Sequence, residues 1–197
     1  MNTRRFISLS IIIIAIATFT CGQSEKMELG VGQQYLTPGD TTTITLRYTG
    51  SNHIAYQGRI PLDPAIHIGN IRSVNSDLSV IANEVNGGLN WGAYGVVSTS
   101  GDILAFEVSS DQTLDYTFTQ EYALGNADSL LHGGAPIFWR EQGDVADNDG
   151  INLDDVLTIL RYVIFQQPTK PYIEVYGDMD GNGHIQVYDA AIILGQL

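Results

Sequence analysis

The chain has 197 residues, 44% of them hydrophobic and only 16% charged, which excludes a disordered polyelectrolyte. Nine Lys and Arg against 22 Asp and Glu give a net charge of −13, which argues against nucleic acid and anionic lipid as partners, because neutralising phosphates needs a basic face. A single cysteine excludes an internal disulfide, and 21 Gly with 10 Tyr suit short strands and turns better than helical bundles.

Arg4 and Arg5 precede an apolar run from Phe6 to Phe19, interrupted only by Ser8, Ser10 and Thr18. The run is shorter than the ~20 residues a helix needs to span a bilayer. A basic start followed by a short apolar stretch is the form of a secretory signal peptide, so residues 1–20 are set aside from fold reasoning. Cys21, followed by Gly22 and Gln23, resembles the lipidated first residue of bacterial lipoproteins. Thr18 and Thr20 depart from that family's pattern, and a plain secretory cut after Ala15-Ile16-Ala17 is the alternative. Either form implies an extracytoplasmic protein, in the cell envelope or secreted, that touches a membrane only through a lipid anchor.

Beyond the signal, residues 21–140 carry five basic and twelve acidic side chains, whereas residues 141–197 carry two and ten. The density of negative charge more than doubles near residue 141, just after the punctuation His132-Gly133-Gly134-Ala135-Pro136. We therefore expect one domain over 28–139 and a second over 141–197.

The first region alternates at period two. The turn Thr37-Pro38-Gly39-Asp40 has Pro and Gly where a type II turn wants them. After it, Ile44, Leu46 and Tyr48 share one face, and Thr43, Thr45 and Arg47 the other, predicting a strand over 41–48 with one wet side. Further strands are predicted over Ile54–Leu62, from Gly101 with Leu104, Phe106 and Val108 inward, and around Tyr116, Phe118 and Gln120. Several short strands separated by turn signals indicate a β-sandwich or barrel, and about 110 residues are enough to bury its core. The order Pro-Gly-Asp, Thr-rich strand, YQGRIPLDPAI and GDILAFEV, spread between Leu29 and Asn126, resembles cohesin modules. The resemblance implies a jelly-roll β-sandwich. Another secreted sandwich, such as a carbohydrate-binding module, is the alternative.

The second region repeats itself at an offset of 34 residues: Gly143/Gly177, Asp144/Asp178, Asn148/Asn182, Ile151/Ile185, Asp155/Asp189, Ile159/Ile193 and Leu160/Leu194 coincide. Each copy has twelve residues from first to last Asp with oxygen side chains at alternate early places, the layout of an EF-hand-type calcium loop. Calcium takes about 6–8 hard oxygen ligands, which one curling chain supplies from places 1, 3 and 5, a carbonyl at 7 and an acid at 12. In the second loop Asp178, Asp180 and Asn182 fill places 1, 3 and 5. Gly183 sits at the sharp turn, His184 gives its carbonyl, Ile185 packs inward and Asp189 closes the sphere.

The first loop is irregular. Counted from Asp144, place 3 is Ala146 and place 6 is Asp149. A count that puts Gly150 at place 6 gains Asp147 and Asp149 but loses both end ligands. The preferred set is Asp144, Asn148, the Gly150 carbonyl and Asp155, with Asp147 or Asp149 as a substitute, and weaker binding than in the second loop.

A helix should follow each loop. The first starts at Asn152 or Leu153, carries the stripe Val156, Ile159, Leu160 and Val163, and stops near Gln166-Gln167-Pro168. The second, from Val187, carries Ala190, Ala191, Ile193 and Leu194. A duplicated calcium loop and helix with no entering helix, GDVADNDGINLDDVLTILRYV followed by GDMDGNGHIQVYDAAIIL, resembles a dockerin over Gly143–Leu197. That implies plug-in association with a cohesin on another protein, as in extracellular polysaccharide-degrading assemblies. Leu153-Asp154 and Val187-Tyr188 stand where that family often has Ser-Thr, which leaves partner choice open.

Other candidates for chemistry are weak, and the many Asp and Glu offer no carboxylate pair that the sequence singles out for glycoside hydrolysis. The four His show no zinc spacing, and there is no Gly-x-Ser-x-Gly or phosphate loop. Trp91 and Tyr94 in NWGAYG read as core and edge aromatics rather than a sugar platform. The expectation is a mainly β, non-catalytic assembly protein. It pairs a cohesin-like sandwich with a small α-helical dockerin-like module holding calcium, and its partners are cohesin- or dockerin-bearing proteins. A carbohydrate-binding module on a dockerin-like tail is the alternative, and a glycoside hydrolase component a more remote one.

Overall fold

A computed structural model describes residues 25–50, 53–97, 100–126, 128–146, 150–165 and 170–197. The signal segment with Cys21, and Asp147, Asn148 and Asp149 of the first loop, lie outside the described residues.

Thirteen strands precede three helices among those residues: β1 (Lys26–Val31), β2 (Tyr35–Leu36), β3 (Thr41–Thr49), β4 (His53–Pro61), β5 (His67–Ser73), β6 (Leu78–Glu84), β7 (Gly88–Val97), β8 (Gly101–Ser109), β9 (Leu114–Phe118), β10 (Tyr122–Gly125), β11 (Asp128–Ser129), β12 (Leu131–His132), β13 (Ala135–Trp139), then α1 (Leu153–Phe165), α2 (Ile173–Tyr176) and α3 (Val187–Leu194). The strands form two five-stranded sheets, β12-β1-β3-β8-β5 and β11-β10-β4-β7-β6, and a small sheet β2-β13-β9.

The β3 strand starts where the sequence puts it. Asp40 accepts hydrogen bonds from the Thr37 amide (3.1 Å) and hydroxyl (2.5 Å), and Gly39 adopts φ +92°. Ile44, Leu46 and Tyr48 then point into the sandwich as expected, with Leu104, Phe106 and Val108 beside them on β8. From the opposite sheet come Tyr56 and Ile60 of β4 and Leu89, Trp91 and Ala93 of β7, all buried in the same cluster. Tyr48 and Tyr56 meet across the layers with ring centroids 5.0 Å apart. The two sheets therefore enclose one core.

On β8, Leu104, Phe106 and Val108 face inward as expected, and Ile103 and Ala105 are buried as fully, so the middle of that strand is covered on both faces. Two local readings need correction. Gln120 lies past the end of β9, and its buried amide nitrogen donates to the Met27 carbonyl (3.1 Å). On α3, Ala190 and Ile193 are buried but Ala191 and Leu194 are exposed, so its apolar stripe is narrower than expected.

A second apolar cluster forms in the C-terminal region from Val145, Val156, Ile159, Tyr172, Ile173, Tyr176, Ala190 and Ile193. Its packing includes Tyr35 and Phe138, which belong to the small sheet of the sandwich region. Those two rings stack on each other at 5.6 Å, and Phe138 meets Tyr172 at 5.2 Å. The buried Tyr176 hydroxyl accepts from the Leu36 amide (2.7 Å). It lies 2.8 Å from the carbonyls of both Leu36 and Phe138, which share its single proton. The tail is therefore seated on the sandwich through aromatic rings and a satisfied buried hydroxyl.

Candidate functional site

The second loop opens where α2 ends. Asp178 Oδ2 accepts from the Gly183 amide (2.7 Å) and Oδ1 from the Asn182 amide (3.1 Å), so the loop coils around its own first carboxylate. Gly183 takes φ +82°, a conformation that would strain a residue with a Cβ. These bonds, the Gly183 amide foremost, hold the Asp178 carboxyl below the usual carboxylate range. Asp180 accepts from the Asn182 side chain (2.8 Å), and Asn182 Oδ1 accepts from the His184 amide (2.9 Å).

Asp189 is fully buried at the start of α3. Its Oδ2 accepts from the Gln186 amide (2.7 Å), in a capping box that ties loop to helix. Asp178, Asp180 and Asp189 each present an oxygen within 4.8 Å of one another. Three hard carboxylate oxygens this close together, one of them from a fully buried residue, are a donor set that a calcium-sized cation could take. Asn182 and His184 stand on the same loop, as the spacing predicts.

The first loop differs. Asp144 is fully buried, and its Oδ1 lies 3.2 Å from Arg140 Nη1. The Gly150 carbonyl accepts from the Asn152 side chain (3.1 Å), and Asp155 is fully buried at the start of α1. Among the described residues, no acidic cluster like that of the second loop gathers here. Sequence reasoning missed Arg140, Lys170 and Tyr172, whose side chains reach this loop from outside it. The only signal was Arg140, a lone basic residue four places before Asp144.

Two surfaces stand out for exposed apolar side chains. On the outer face of the β10-β4-β7-β6 sheet, Tyr94 (56% exposed) lies between Ala55 and Ser79, and Ile81 (67%) borders Gly92, with Tyr122 at the β10 side. The other five-stranded sheet carries paired charges, Arg47 on Asp102 (2.6 Å) and Lys26 on Glu28 (2.9 Å), with Leu131 of β12 (63% exposed) beside Lys26 and Ile71 of β5 partly exposed. The helices form the second surface: Leu153 and Leu157 on α1, Val187 and Tyr188 on α3 are exposed. Trp91 is buried, so of the two aromatics in its motif only Tyr94 faces solvent.

No protein-family model matches this sequence, and no curated protein matches it. Solved structures do. A cohesin module from the family 33 glycoside hydrolase of Clostridium perfringens ATCC13124 superposes with a TM-score of 0.51 at 12% identity, covering 59% of this chain and 95% of its own. A non-cellulosomal cohesin from the hyperthermophilic archaeon Archaeoglobus fulgidus gives 0.51 at 7% identity, over 60% of this chain and 93% of its own. The chain thus contains a β-sandwich with the fold of cohesin modules.

Proposed function

We propose that this protein is an exported, non-catalytic assembly protein whose cohesin-like sandwich and calcium-loaded, dockerin-like tail join it to protein partners. The observation that carries the reading is the cohesin fold, combined with Tyr94 and Ile81 exposed on the outer face of the β10-β4-β7-β6 sheet. Solvated sheet faces are ordinarily polar, and an exposed cluster of aromatic and aliphatic side chains marks a contact surface. The partner of that face is a dockerin-bearing protein, and the tail engages a cohesin through the exposed residues of α1 and α3.

Asp178, Asp180, Asn182, the His184 carbonyl and Asp189 of the second loop would hold calcium. Bound calcium would neutralise the converging carboxylates and order α3 against α1. Residues 1–20 direct export, with Cys21 as the lipid attachment point if the lipoprotein form applies.

A second reading rests on Tyr94, whose exposed ring could stack on a sugar of an extracellular polysaccharide. A glycan-array screen separates the two. Retention of polysaccharide by the parent and its loss in Tyr94→Ala favours sugar binding. No glycan retained, together with calcium-dependent capture of a cohesin- or dockerin-bearing protein, favours assembly.

A further inference from the structure

The two loops are related by the 34-residue repeat, but their first carboxylates have different surroundings. In the second, Asp178 takes hydrogen bonds from its own loop's amides. In the first, the equivalent Asp144 faces a guanidinium. Arg140 Nη1 lies 3.2 Å from both the Asp144 carbonyl and Oδ1, and its side chain is only 1% exposed. The other edge of the same guanidinium makes a two-point pair with Asp115 on β9, at 2.7 and 2.5 Å. Its face lies 3.9 Å from the centre of the Tyr172 ring.

At place 3, where the second loop has Asp180, the first has Ala146. The ammonium of Lys170 donates to the Ala146 carbonyl, and the Tyr172 hydroxyl reaches it at 3.3 Å. The repeat makes the contrast sharp, because the residue equivalent to Arg140 is Glu174, an exposed acid that accepts from Tyr162.

We infer that Arg140 and Lys170 are the resident cations of the first loop and that the chain takes up a single calcium, at the second. A divalent ion at Asp144 would sit beside a buried guanidinium. Displacing that guanidinium would strand Arg140 and remove the partner of Asp115, a costly outcome for buried charges. Arg140 reaches the loop from the end of β13 while gripping β9, so the first loop is fastened to the sandwich by protein charges. This inference rests on the second loop being the calcium site.

The test compares Asp144→Ala and Asp178→Ala with the parent, all as the chain from residue 21, by thermal unfolding in chelator and in excess calcium. Titration calorimetry counts the calcium sites. The parent should take one calcium. Asp144→Ala should lower Tm by a similar amount, on the order of 10 °C, in both media and leave the calcium count unchanged. Asp178→Ala should abolish calcium uptake. A calcium ligand behaves oppositely: its loss relieves repulsion in chelator and removes a site. Two sites in the parent, or a neutral or stabilising Asp144→Ala in chelator, overturns the inference. If Asp144→Ala does not fold, Asp144→Asn should show a smaller drop that is equally indifferent to calcium. If the parent takes no calcium, the second-loop reading fails, and the Asp144→Ala drop in chelator still decides Arg140's role.

Discussion

Asp155 and Asp189, thirty-four residues apart, make the same hydrogen bonds to equivalent positions of their own loops. Asp155 Oδ1 accepts from the Val145 and Ala146 amides, both at 2.7 Å, and Oδ2 from Asn152 (2.7 Å). Asp189 Oδ1 accepts from Met179 (2.8 Å) and Asp180 (3.4 Å), and Oδ2 from Gln186 (2.7 Å). Each acid pins the start of its loop to the start of its helix, where the helix dipole favours an anion. Three amides leave part of a carboxylate's acceptor capacity free, so the same group can face a cation.

The first prediction follows from that frame. Calcium bound only by the folded chain at about 1,000 times its dissociation constant adds about 4 kcal/mol per site. Chelator should therefore lower the Tm of the parent and reduce helical circular dichroism, and Asp178→Ala should lose most of that calcium response. A Tm identical in calcium and chelator would sink the calcium reading.

The second concerns the seat of the tail on the sandwich. Burial pushes the Tyr176 hydroxyl up to about 12 from its ordinary 10.0. Below the unfolded value both states are neutral and the full stability is present. As pH rises from 10 toward about 12, only the unfolded tyrosine ionises readily, and stability is lost. Urea unfolding across this window should show the decline, and Tyr176→Phe should flatten the part due to this residue. Tyr176→Phe should also cost about 1–3 kcal/mol at neutral pH, because the Leu36 amide loses its partner.

The third tests close packing inside the tail. A Cβ on Gly177 would come within 2.6 Å of Ile159 Cδ1 and of the Ile173 carbonyl. Gly177→Ala should destabilise the protein by about 1–3 kcal/mol. Adding Ile159→Val, which deletes that methyl, should recover part of the loss. If the double variant is no better than the sum of the singles, the contact is not the cause.

The loop spacing and the strands with strict alternation were legible in the sequence, because their signals are local. Ile44, Leu46 and Tyr48 announce β3 by period, and Asp178, Asp180 and Asn182 announce their loop by spacing. The sequence did not reveal β1, β5, β6, β7, β10 or β13, nor the two-residue strands β2, β11 and β12, of which β2 and β12 are stabilised by partners about a hundred residues away and β11 by the adjacent β10. Nor did it reveal α2, a single turn set by tertiary packing of Ile173 and Tyr176. The Arg140 grip was equally hidden, because Asp115 lies 25 residues upstream and only the fold brings the two together.

The fourth prediction concerns the sheet face. Tyr94→Asp and Ile81→Asp place charge on exposed positions, so stability should change by no more than about 0.5 kcal/mol by urea unfolding, while partner binding falls at least tenfold. A large loss of stability would mean that these side chains are structural.

The central claim is calcium-dependent association with a protein partner. Its most direct measurement is affinity capture on the immobilised chain, in calcium and in chelator, with the retained protein identified, purified and titrated back. A cohesin- or dockerin-bearing partner should be retained in calcium. A dockerin held by the sandwich should be weakened by Tyr94→Asp, and a cohesin held by the tail should be released by chelator and weakened by Val187→Asp. Binding of such a partner that is indifferent to calcium and to all of these substitutions, or no such partner at all, would contradict the account.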